Sequence, residues 1–223
     1  MNETTLDQTS TLTFRTARNS KTSTKSVRWD LIVFGVVVFL LNWTLLFGHE
    51  QTTFVFVPAL VRNGEWWRLL THPFVHVSFY HLLLDASAFF LVYSGLEEKS
   101  WATRVAYVVA SATGSLMISL LRSSQIASVG MCGLSGIAHG LLAISALEMM
   151  RSKDKMIMRA GWITFAIIIA KSAIEAITGS VVFDFLHFGN IGTPIAVGHA
   201  GGVLGALTLA MFRSKTLSAS IKQ

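Results

Sequence analysis

The chain has 223 residues, 52% of them hydrophobic and only 13% charged, with a mean hydropathy of +0.56. Soluble domains carry about a quarter charged residues; here the apolar excess falls in long blocks, which points to a polytopic membrane protein. The lone cysteine, Cys132, excludes an internal disulfide framework and a cysteine-rich metal site, and the net charge of +6 matters mainly through its placement.

Residues 1–29 are rich in Ser and Thr and carry Arg15, Arg18, Lys21, Lys25 and Arg28. Without an apolar stretch they are no signal peptide, and Glu3 and Asp7 argue against a transit peptide. A disordered basic arm is expected there. A membrane domain is expected over 30–213, followed by a tail over 214–223.

Six spans are expected within that domain, near 31–48, 77–95, 103–121, 131–150, 156–178 and 192–212. Each is long enough to cross a hydrocarbon core of ~30 Å at about 1.5 Å per residue. Between the first two lies "HEQTTFVFVPALVRNGEWWRLLTHPF", too apolar for a simple solvated loop. Phe54, Phe56, Leu60, Trp66 and Trp67 are expected in the outer interface, where tryptophan is favoured.

Basic residues orient the bundle. With the amino terminus in the cytoplasm, fourteen of the eighteen Lys and Arg fall on the cytoplasmic side: the arm, Lys99, Arg104, Arg151, Lys153, Lys155, Arg159, Arg213, Lys215 and Lys222. The outer side holds Arg62, Arg68 and Arg122, and Lys171 lies within the fifth span. The asymmetry favours both termini inside.

Ionisable groups inside a span are costly and need a partner or a function. His76, His81 and Asp85 lie near span two, Ser135 and His139 in span four, Lys171 and Glu175 in span five, and His199 in span six. Spans two, four and six enter from outside, so His81, Asp85, Ser135, His139 and His199 share a depth. Such a set suits nucleophilic acyl transfer, in which a base within hydrogen-bond reach takes the serine proton. Imidazole is the usual base because its pKa lies near working pH. Gly133 and Gly136 allow a tight turn and close backbone approach, so the N–H groups at the helix start could face an oxyanion, with His81 completing the hole. Small residues in membrane helices also serve packing alone. Lys171 and Glu175, spaced i, i+4, read as a salt pair inside the bundle.

At these residues the chain resembles the rhomboid intramembrane serine proteases. "EWWRLLTHPFVHVSFYHLLLD" is similar to the family's Trp-Arg loop and the helix behind it, placing Trp67, Arg68, His76, His81 and Asp85. "GLSG" resembles Gly-x-Ser-Gly, which implies Ser135 as nucleophile, and "HAGGVLGA" resembles the start of the last helix, which implies His199 as base and Gly202 as the glycine after it. Ala206 stands where the family usually has a second glycine. The resemblance implies an all-α six-helix bundle, a Ser–His dyad without a third acid, and no cofactor or metal. It also implies membrane-anchored protein substrates and the lipid bilayer as partners, with no nucleic acid.

Two positions depart from the family pattern. Asp85 replaces an oxyanion-donating asparagine, and an ionised carboxylate has no proton to donate. Either it is protonated by its apolar setting, or it orients His81. The second is His139, where many rhomboids carry an aromatic; "GLSGIAHGLL" resembles instead the rhombosortase branch. That branch implies removal of C-terminal Gly-Gly-type sorting tails, with the site facing the exterior of a bacterial inner membrane. His139 is expected to stack on or hydrogen-bond His199, with a direct base role as the alternative. A general rhomboid protease and an inactive, membrane-protein-binding relative remain alternative readings.

Overall fold

The computed structural model describes residues 28–220 except 183 and 185–187. Residues 1–27 of the expected arm and 221–223 of the expected tail lie outside these.

Six long helices organise the described residues: α1 (Trp29–Asn42), α2 (Phe79–Gly95), α3 (Trp101–Arg122), α4 (Ser135–Met150), α5 (Lys155–Thr178) and α6 (Val197–Ser220). No strand occurs among the described residues, only an isolated bridge between Phe56 and Met131. Side-chain caps set the helix starts. Ser78 accepts from the His81 N–H at 3.0 Å, Ser100 from Thr103 at 3.3 Å, and Asp154 from Met156 at 2.7 Å. Gly179, at φ +70°, closes α5.

Among the described residues, three helical stretches are long and apolar enough to cross a membrane: Trp29–Phe47, Trp101–Arg122 and Lys155–Thr178. A fourth is added if Arg68–Phe74 and Phe79–Gly95, bent by 89°, form one span. α4 is apolar but has 16 residues, about 24 Å at 1.5 Å per residue. α6 is long enough, but glycine, His199 and Arg213 dilute its apolar character. Two helices start later than expected, at 135 and 197 instead of 131 and 192. Ahead of α4, Met131 bridges to Phe56 and Gly133 takes φ +102°; ahead of α6, Pro194 lacks the N–H a helix interior needs. α6 then continues to Ser220, into the stretch expected as a tail.

α6 packs against α3, α4 and α5, and α2 packs against α4. Small residues make this possible. A Cβ on Gly114, Gly201 or Gly205 would collide with backbone of the facing helix, and one on Gly202 would collide with the Gly136 carbonyl. Phe89, Tyr93, Leu134, Ile137 and Leu141 fill the interior around α2 and α4, joined by Val38 of α1. At one end of the bundle, Asp30 accepts from Arg104 Nη2 at 2.6 Å and from the Tyr93 hydroxyl at 2.8 Å, while Arg213 lies 3.8 Å from Glu98. Basic residues expected on one side of the membrane thus meet at one end.

The α1–α2 connection differs from the expectation of an interfacial apolar surface. Trp66 and Trp67 are exposed, but Phe56 is buried against Leu116 and Ile126. Arg68 pins the segment, donating to Glu65 at 2.8 Å and to the carbonyls of Thr52 and Val55 at 2.7 and 2.6 Å. A guanidinium with five donors can hold several backbone acceptors at once, which draws Phe56 inward with the chain.

Candidate functional site

A cavity of ≈ 450 Å³ opens between α2, α4, α5 and α6. His81, Asp85, Gly133, Ser135, Gly136, His139, Lys171 and His199 all line it. Groups expected at a shared depth on three spans therefore reach one space. His76 and Gly202, expected to line the site, lie behind its wall. The His76 ring is fully buried between Asn42 and Asp85, and Gly202 faces the Gly136 backbone.

Ser135 is the first residue of α4. The turn before it needs Gly133, whose φ of +102° disfavours L side chains and whose Cβ would sit 2.7 Å from Asp85 Oδ2 and 3.0 Å from His81 Nε2. The Ser135 N–H, expected to face an oxyanion, donates instead to Asp85 Oδ2 at 3.0 Å. His81 Nε2 lies 3.3 Å from the same oxygen and His76 Nε2 3.5 Å from it. One carboxylate oxygen thus takes the Ser135 N–H and lies close to both ring nitrogens.

The His76 side of this cluster is fixed by Asn42. Its amide nitrogen donates to the carbonyls of Val38 and Phe74 at 2.7 and 2.6 Å, so its oxygen is the atom facing His76. That oxygen accepts from the His76 backbone N–H at 2.9 Å and from Nδ1 at 3.2 Å. His76 Nδ1 therefore carries hydrogen. Its Nε2 lies 3.5 Å from Asp85 Oδ2 without making a hydrogen bond to it.

On the other wall, His139 and His199 stack with ring centroids 4.0 Å apart and planes within 5°. His139 Nδ1 lies 2.8 Å from the Ser135 carbonyl, and its Nε2 lies 2.9 Å from Lys171 Nζ. A carbonyl only accepts and an ammonium only donates, so Nδ1 carries the hydrogen and Nε2 gives its lone pair to lysine. His139 is thereby committed on both nitrogens. Lys171 also donates to Glu175 Oε1 at 2.6 Å, and the Val182 N–H donates to the same oxygen at 3.0 Å.

Glu175 was expected only as the partner of Lys171, and no third acid was expected beside the dyad. The structure corrects both. Glu175 is fully buried, and its second oxygen, Oε2, accepts from His199 Nδ1 at 2.8 Å. In the neutral ring this tautomer puts the lone pair on Nε2. Position along the helices was the signal that could have found this: Glu175 lies near the carboxyl end of α5 and His199 near the amino end of α6, but the spacing to Lys171 already accounted for the charge of Glu175. No hydrogen bond joins Ser135 Oγ to His199; both open on the same cavity. His139, Glu175 and His199 could offer three atoms to a metal ion, but the Lys171 ammonium already engages the donor atoms of His139 and Glu175.

Comparison with known proteins places the chain in a family. The chain is 29% identical over 163 residues to the rhomboid protease GluP of Bacillus subtilis (strain 168), covering 72% of this chain and 30% of that protein. The chain thus spans well under half of that relative's length. Residues 63–216 match the rhomboid domain, taking in every cavity residue named above. The chain belongs to the rhomboid family of multi-pass membrane proteins.

Proposed function

We propose that the protein is an intramembrane serine endopeptidase in which Ser135 attacks the scissile carbonyl of a membrane-anchored substrate and His199 takes its proton. The observation that carries this reading is that the Ser135 side chain and the His199 ring face one cavity while His199 Nδ1 is held by a carboxylate, which leaves the Nε2 lone pair as the available base. The Ser135 oxygen forms the new C–O bond as its proton moves to Nε2. The tetrahedral centre then collapses, the C–N bond breaks, and the imidazolium returns the proton to the leaving amine. Water repeats the sequence to free Ser135. Serine and base make no direct hydrogen bond in the resting protein, and catalytic contacts of this kind tighten when substrate enters.

Asp85 Oδ2 stands in for the oxyanion in the resting state. The Ser135 N–H meets it at 3.0 Å, within the range an oxyanion-hole donor needs, and His81 Nε2 lies just outside that range at 3.3 Å. In this reading Asp85 orients these donors, Gly133 keeps their space open, and His139 supports the His199 ring by stacking. Six spans with both termini in the cytoplasm place the site towards the exterior, as the distribution of Lys and Arg supports.

His139 four residues after Ser135 favours a rhombosortase-like role, removal of C-terminal Gly-Gly-type tails in a bacterial inner membrane. A general rhomboid protease acting on single-span proteins, and an inactive relative that binds membrane proteins, are the competing readings. Retention of both serine and histidine disfavours the inactive one.

A fluorophosphonate probe is expected to label the purified protein at Ser135, located by mass spectrometry, and to leave S135A unlabelled; equal labelling of both removes Ser135 as nucleophile. D85N is expected to label within about tenfold of wild type, because an amide oxygen can still accept the Ser135 N–H, whereas loss of a donor interaction in an oxyanion hole costs ~10²–10³. Complete loss in folded D85N would assign the carboxylate a direct role. In vesicles, a reporter ending in a Gly-Gly motif, an apolar helix and a basic end should be cut in preference to a single-span reporter lacking that tail. The opposite preference would place the protein with the general rhomboids.

A further inference from the structure

We infer that Glu175 is a positioning residue for the base, completing a Ser135–His199–Glu175 relay that spans α4, α6 and α5. The inference rests on the assignment of Ser135 and His199 above. A bare Lys–Glu pair would have no need of His199, yet the carboxylate divides its oxygens. Oε1 takes the Lys171 ammonium at 2.6 Å and the Val182 N–H at 3.0 Å, and Oε2 takes His199 Nδ1 at 2.8 Å. Glu175 is fully buried, where a carboxylate is retained only if paired and hydrogen-bonded.

The arrangement has two chemical consequences. A carboxylate on Nδ1 fixes the tautomer with the lone pair on Nε2, the atom that must receive the serine proton. It also lies beside the imidazolium that forms when that proton arrives, and offsets the new charge. Lys171 serves the carboxylate rather than the base. It bonds Glu175 directly and anchors His139, whose ring lies 4.0 Å from the His199 ring. The carboxylate thereby stays ionised and the stacked ring stays in register. Across the cavity His199 faces His81 and Asp85, which are engaged with each other at 3.3 Å. Glu175 is thus the carboxylate bonded to the base.

The test uses the full chain in detergent and separates kinact from KI for fluorophosphonate labelling. Substitution E175Q keeps the shape but loses the charge and offers an amide donor to Nδ1. It is expected to lower kinact by ~10²–10⁴, the range that wrong-tautomer and lost-base variants span in serine hydrolases, with KI within about threefold. Should E175Q fail to fold because the Lys171 charge has lost its counter-charge, the double substitution K171M/E175Q removes both charges and is read the same way, with a thermal unfolding curve confirming its fold. Wild-type kinact in a folded variant overturns the inference while leaving Ser135 and His199 standing, as does a loss carried by KI alone. A wild-type protein that does not label at Ser135 overturns the dyad, and this inference with it.

Discussion

The close backbone approach of α6 to α3 and α4 is the constraint on which the rest depends. Gly201 and Gly205 let α6 meet α3 at Gly114 and Ala110, and Gly202 lets it meet α4 at Gly136. Hydrocarbon offers no hydrophobic drive between helices, so such contact must come from packing of small surfaces. It brings the His199 ring flat against His139 of α4. Larger residues on this seam would separate the two rings and reshape the cavity they line.

Once the helices are that close, polar groups of neighbouring helices pair with one another. Two networks result. One joins α1, α2 and the start of α4 through Asn42, His76, Asp85, His81 and the Ser135 N–H. The other joins α4, α5 and α6 through His139, Lys171, Glu175 and His199. Ser135 belongs to both, its N–H bound to the first and its carbonyl to the second. Its hydroxyl is left to the cavity. The serine is held by its backbone from two sides while its side chain stays available, an arrangement suited to a nucleophile.

Much of the helical plan was legible because apolar length and basic flanks are local properties. The helix starts were less so: the turn at Gly133 and the loop before α6 depend on chain crossing from elsewhere, including the Phe56–Met131 bridge. The inward turn of Phe56 depends on Arg68 gathering carbonyls up to 16 residues away, which hydropathy cannot register. At the site, the shared depth of His81, Asp85, Ser135, His139 and His199 was readable because each is unusual in its span. The partners were not. Asp85 meets a backbone N–H 50 residues away, and Asn42 meets His76 across 34. Glu175 illustrates the limit. Its spacing from Lys171 explained one oxygen so fully that nothing in the sequence called for a partner to the other.

The central claim is that the base comes from α6 and that His139 only supports it. Labelling rates of Ser135 in folded H199A and H139F test this most directly. His139 has both nitrogens engaged, by the Ser135 carbonyl and by Lys171, whereas His199 keeps Nε2 for the serine proton. The account predicts that H199A is labelled ~10²–10⁴ times more slowly than wild type, the usual worth of a general base, while H139F keeps most of the rate because phenylalanine can still stack. Retained labelling in H199A with abolished labelling in H139F would contradict it and transfer the base to α4.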